Sequence, residues 1–140
     1  MRELEAADLI VHAGDFTARA VLEELRALGP PVAAVYGNMD DADLRAELPL
    51  EHVVEAGEAR IGLVHVPGPR AGRAERLARR FHGCAAVVYG HTHVPELTRH
   101  GATWILNPGS PTERRRAPAH TMLRLEVLGA RIEPELLTLA

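Results

Sequence analysis

Four residues near the middle of the chain, Gly90-His91-Thr92-His93, follow an apolar run from Ala85 to Tyr89 and lie just before Pro95. Two imidazoles one residue apart at a strand end cannot both face a core. Each can, however, offer a ring nitrogen to metals a few ångströms apart. Upstream stand two more Gly-led strand endings, Gly14-Asp15 and Gly37-Asn38-Met39-Asp40, and a histidine after an apolar run at Leu63-Val64-His65. Together Asp15, Asn38, His65, His91 and His93 give one carboxylate, one carboxamide and three imidazoles. That oxygen and nitrogen set suits Mn, Zn, Fe or Ni, and suggests a metal-dependent hydrolase.

The elements that must position these side chains alternate in type. Leu9-Ile10-Val11 is a β-rich run stopping at Gly14-Asp15. Thr17 can cap a helix running to about Leu28, with Val21, Leu22, Leu25 and Leu28 on one stripe and Gly29 as terminator. Residues 31–36 form a second buried run before Gly37-Asn38, so the order β-loop-helix-β predicts parallel pairing. A short helix is expected over 41–48, then a hairpin of 52–55 with 60–66 around Ala56-Gly57-Glu58. Arg73 to Phe81 is amphipathic, with Leu77, Ala78 and Phe81 inward, and Cys84 to Tyr89 is a further buried strand. The remainder reads as strands over 96–99, 103–106, 121–127 and 131–138. Every candidate ligand falls at the C-terminal end of a predicted strand, where loops of an α/β sheet converge on a crevice.

Composition bounds the class. With 140 residues, one domain is expected. Apolar residues make up 46%, but aromatics only 4%, so the core must be built from Leu, Val, Ala and Ile. A formal charge of −3 gives no reason to expect nucleic acid as a partner. The cations are all arginine, scattered except at Arg114-Arg115-Arg116, which reads as a solvated loop. Cys84 is the sole cysteine, so no internal disulfide can form. No apolar stretch approaches the roughly 18 residues a membrane span needs. The N-terminus has no signal-peptide core, so a cytoplasmic protein is expected.

Singly, these motifs are weak. A lone Asp after a strand more often caps a helix, Gly-Asn is a common turn, and a lone strand histidine is more often a core residue. Their order is more specific: Gly-Asp, then Gly-Asn-x-Asp after one helix and one strand, then a strand-end His, then Gly-His-x-His. That ordered set resembles the calcineurin-like metallophosphoesterases, and among them the small bacterial and archaeal phosphodiesterases. The resemblance covers nearly the whole chain and extends to the turn Asn107-Pro108-Gly109-Ser110.

It implies an α/β fold, two facing β-sheets flanked by helices in four αββα layers, with a binuclear divalent-metal centre, Mn first and Ni, Fe or Zn as alternatives. By position, Asp15 would bridge both metals, Asn38, His65 and His91 would complete one site, and His93 would belong to the other. Asp15, Asn38 and His91 would be the catalytic members. The implied reaction is hydrolysis of a P–O bond of a small phosphoester, a phosphodiester first, by a metal-bound hydroxide between cations roughly 3.5–4 Å apart. Asp40 would either accept a hydrogen bond from a ligand imidazole or cap the helix over 41–48. Asn107 and Ser110 are minor contributors close to the site. His12, His52, His82, His100 and His120 match no ligand position, and only His12 is expected near the site.

Three departures from the family stand out. Family members open with a strand ending in Asp-x-His, a tripeptide that occurs nowhere in this sequence, and residues 1–7 read as the tail of the helix that follows it. The expectation is therefore a domain lacking its first strand, through a misplaced start or truncation. One metal site would be complete and its partner reduced to Asp15 and His93, with impaired turnover. An open sheet edge would also favour homo-oligomers. Met39 stands where larger phosphatases place a His, removing a general acid and favouring acidic leaving groups. Val66-Pro67-Gly68 follows His65 where relatives often show Gly-His. The alternative function is a non-catalytic scaffold on the same fold, as in the retromer subunit that resembles these phosphodiesterases.

Overall fold

The computed structural model describes residues 8–13, 19–36, 46, 48–90, 92, 94–109 and 120–139. Eleven elements follow in order: β1 (Ile10–His12), α1 (Arg19–Ala27), β2 (Val32–Ala34), β3 (Glu51–Ala56), β4 (Ala59–Val64), α2 (Arg73–Arg80), β5 (Ala86–Tyr89), β6 (Glu96–His100), β7 (Thr103–Asn107), β8 (His120–Leu128) and β9 (Arg131–Leu139). They form a five-stranded sheet of order β3-β4-β5-β7-β6 and two separate pairs, β1-β2 and β8-β9. β4, β5 and β7 run parallel, with antiparallel β3 and β6 at the two edges.

Side-chain alternation sets the layers. In a strand, successive residues face opposite ways. On β2, Ala34 meets Leu25 of α1, with Val32 and Leu48 beside it, whereas Ala33 and Val35 turn inward. There they join Ile61, Leu63, Ala86, Val88 and Leu106 from the larger sheet. Ile132 of β9 enters the same cluster, flanked by Leu123, Leu125 and Val127 of β8, so both strand pairs cover one face of the five-stranded sheet. On its other face, Val64, Val87, Tyr89 and Ile105 pack against Leu77 and Phe81 of α2. The result is four layers, α1, the two strand pairs, the five-stranded sheet and α2, as the resemblance implies.

Close approach of α2 depends on Gly62. A Cβ there would lie 2.5 Å from Phe81 Cδ1 and 3.1 Å from Phe81 Cβ. The β3–β4 turn likewise uses Gly57 at φ 60°, a left-handed conformation that glycine adopts without strain. Cys84 does not open β5 as expected. It closes the turn after α2, its N–H donating to Phe81 O at 3.1 Å, and is buried there as a free thiol. The helix expected over 41–48 falls largely outside the described residues. No helix among them is long and apolar enough to cross a membrane.

Candidate functional site

β4 ends at Val64, and the next residue, His65, is only 2% exposed. Its Nδ1 lies 2.6 Å from the carbonyl oxygen of Ala13, just past β1. A carbonyl can only accept, so Nδ1 is the donor, and in the neutral ring that leaves the lone pair on Nε2. The bond joins the two sheet layers across 52 positions of sequence. His65 O in turn accepts the N–H of Gly90 at 3.1 Å. A Cβ on Gly90 would stand 3.0 Å from both Ala13 O and His65 Nδ1, so any larger residue would have to push back the Ala13 carbonyl and the His65 ring that bonds to it.

Beyond Gly90 the chain is held from β7. Asn107 is fully buried, and its Nδ2 donates to Thr92 Oγ1 at 2.9 Å and to Gly90 O at 3.4 Å. Its Oδ1 accepts the N–H of Gly109 at 2.8 Å. Thr92 N–H donates to Gly90 O at 2.9 Å, and Thr92 Oγ1 accepts from Val94 N–H at 3.2 Å. On the helix side, the Tyr89 hydroxyl donates to the Glu96 carboxylate. The Arg73 guanidinium sits 5.3 Å from the centre of the Tyr89 ring and donates to its oxygen at 3.4 Å. Burial, with the Glu96 carboxylate adding to it, pushes the Tyr89 phenol up to about 12.

The segment after His65 is stitched down by two arginines of α2. Arg76 Nη2 donates to Pro67 O at 3.0 Å and Pro69 O at 2.6 Å, and Nη1 to Ala71 O at 3.2 Å. Arg73 Nη2 donates to Gly68 O at 3.0 Å.

Of the sequence-derived site residues, His65 and Asn107 are described. Asp15, Asn38, Asp40, His91, His93 and Ser110 lie outside the described residues. Among the described residues, no three of His, Cys, Asp and Glu gather in one place. The strand ends that lead to the motifs do gather. Val35 N–H donates to His12 O at 3.2 Å, placing the end of β2, ahead of Gly37-Asn38, beside the end of β1, ahead of Gly14-Asp15. Ala13, His65 and Gly90 then meet as described. Four motifs spread over the chain thus begin at one edge of the sandwich. His52, His82 and His100 are exposed.

Sequence reasoning missed Thr92, Tyr89, Glu96, Arg73 and Arg76. A signal existed for the first. A hydroxyl residue between two candidate ligands marks Thr92 as a residue whose side chain could brace the segment, though the sequence does not name its partner.

Comparison with known proteins agrees with this geometry. The model of the calcineurin-like phosphoesterase superfamily domain matches residues 1–129. A protein of Methanocaldococcus jannaschii named as a probable metallophosphoesterase is 37% identical over 128 residues, 89% of this chain and 64% of its own length. The chain thus spans less than two thirds of that relative. Among solved structures, a predicted phosphoesterase of Streptococcus pneumoniae superposes with a TM-score of 0.75 at 26% identity, covering 98% of this chain and 77% of that one. Vps29 of Entamoeba histolytica, solved in complex with zinc, gives a TM-score of 0.74 at 23% identity, covering 98% of this chain and 86% of that one. The chain, built as two strand layers between helices with its motif-bearing strand ends at one edge, belongs to the calcineurin-like phosphoesterase superfamily.

Proposed function

We propose that this chain binds a divalent cation through Asp15, Asn38, His65, His91 and His93 and hydrolyses a phosphoester, a phosphodiester in the first instance. The observation that carries this is His65. A buried imidazole whose Nδ1 proton is committed to a backbone carbonyl has its Nε2 lone pair fixed in direction, the arrangement a metal-binding histidine needs. The donor set fits as well: a carboxylate, a carboxamide and imidazoles without a thiol suit Mn, Fe, Ni or Zn. The cation would supply charge to activate water and to neutralise the phosphoryl oxygens.

The protein's own residues do the rest. Asp15 offers an anionic ligand with two oxygens, Asn38 a neutral one that leaves the cation its charge. His65 is held by Ala13, and the Gly90 backbone by His65 O and Asn107. No imidazole stands at Met39 to protonate a departing oxygen, so phenolic esters should be preferred over alkyl esters.

The test is Mn2+ titration of hydrolysis of bis(p-nitrophenyl) phosphate, alongside calorimetric Mn2+ binding. Saturable binding and Mn-dependent turnover are expected, both reduced at least about 100-fold in His91→Ala and His65→Ala, the scale on which lost electrostatic stabilisation acts. Equal rates and equal binding in wild type and variants would remove the proposal.

A second function, a non-catalytic protein-binding module, is supported by exposed apolar residues on both edge strands, Val53 of β3 at 44% and Leu97 of β6 at 38%. Mn2+ binding with no turnover on any phosphoester would favour it.

A further inference from the structure

We infer that Asn107 and Thr92 form a positioning pair that presets the two histidines of the Gly90–Val94 segment for the cation. The inference rests on the metal site proposed above and adds residues that touch neither metal nor substrate.

In chain order Thr92 stands between His91 and His93, so fixing its backbone dihedral angles removes two of the torsions that separate the two histidines. Three bonds fix that residue. Its N–H donates to Gly90 O, its Oγ1 accepts from Asn107 Nδ2 at 2.9 Å, and the same oxygen accepts the Val94 N–H. Among the described residues, Asn107 is what holds Thr92 from outside the segment. It is fully buried, so it cannot serve as a contact to substrate in solution, and its Oδ1 is engaged by Gly109. Because Asn107 ends β7, paired with β5 in the five-stranded sheet, the segment is referenced to the sheet and not to solvent. Thr92 is the more sensitive half. Removing its hydroxyl leaves Nδ2 of a buried amide, among the described residues, with the 3.4 Å contact to Gly90 O. Ligand geometry tolerates displacements of only about 0.2 Å, and loss of supporting hydrogen bonds typically costs ~10–100-fold in metal affinity.

The experiment compares Mn2+ affinity, by calorimetry on the metal-free proteins, for wild type, Thr92→Val, Thr92→Ser and Asn107→Leu. Melting of each metal-free protein is followed in parallel. Thr92→Val keeps shape and removes the acceptor, and Thr92→Ser keeps the acceptor. The expected result is a Kd about 10–100-fold weaker for Thr92→Val, and for Asn107→Leu if it folds, with Thr92→Ser within about threefold of wild type. A merely structural role would lower the melting temperature and leave the Kd of the folded protein unmoved. Thr92→Val binding Mn2+ as tightly as wild type, or Thr92→Ser binding as weakly as Thr92→Val, would overturn the positioning role while the metal site stands. Absence of saturable Mn2+ binding in wild type would overturn both.

Discussion

Tyr89 shows how one buried side chain ties the site to solution conditions. Its phenol is pushed up to about 12, against an ordinary value of about 10, so the folded protein holds that proton more tightly than the unfolded chain does. Its contribution to stability is therefore complete below pH ~10 and is lost as pH rises from ~10 to ~12. The chain has no lysine, and burial pushes the Cys84 thiol up as well. The expected outcome is a melting temperature that falls steeply above pH 10 in wild type. Tyr89→Phe should start lower at pH 8, having lost the bond to Glu96, and then decline more gently. Parallel curves for the two proteins would exclude Tyr89 as the source. In the sequence His65 was legible as a ligand candidate through its place in the ordered set of motifs, since a lone strand histidine is more often a core residue. Its partner Ala13 was not, since the bond depends on how two sheet layers stack across 52 positions of chain. Asn107 was read only as a neighbour of the site. Nothing local in Trp104-Ile105-Leu106-Asn107 tells which way its amide turns.

The strands and helices were more legible than the contacts between them. Short apolar runs bounded by glycine predicted β2, β4 and β5 to within two residues, and the stripe Leu77-Ala78-Phe81 predicted α2, because periodicity reports burial directly. Pro134 would ordinarily argue against a strand, yet β9 runs through it opposite Leu125. A proline is tolerated there because β9 has β8 on one side only among the described residues. Gly62 was unreadable, since its reason is a ring brought from α2. Gly62→Ala should destabilise the protein by about 1–3 kcal/mol, as overpacking does, because the backbone-proximal Phe81 Cβ at 3.1 Å cannot swing aside. Combining it with Phe81→Leu should cost less than the sum of the two single changes, measured by urea denaturation. Full additivity would mean that the ring is not what Gly62 accommodates.

The whole molecule ties its two strand layers at both ends, His65 Nδ1 donating to Ala13 O at one and Trp104 Nε1 to Ile132 O at 3.0 Å at the other. The first tie is buried and belongs to a longer run of bonds, whereas the second is only partly buried. Ala13, His65, Gly90, Asn107 and Gly109 form one continuous chain of bonds, crossing the ends of β1, β4, β5 and β7. At the opposite end lie the tight turns at Gly57, Gly101 and Gly129, where Val127 and Glu58 provide contacts between the β3–β4 and β8–β9 hairpins. There the amide of Ala85 bonds to Arg60 O within the larger sheet, and the Trp104 indole makes a single bond across to Ile132 O. Native-state hydrogen exchange should therefore find the Gly90 amide outlasting that of Ala85, and the reverse order would count against the linked chain as a stabilising unit. A book sewn along one spine opens from its fore-edge. This sandwich is stitched by a run of linked bonds at one margin and by the partly buried stitch from Trp104 to Ile132 at the other. Thermal breathing should likewise part the second margin first and the margin where the motif-bearing strands end last.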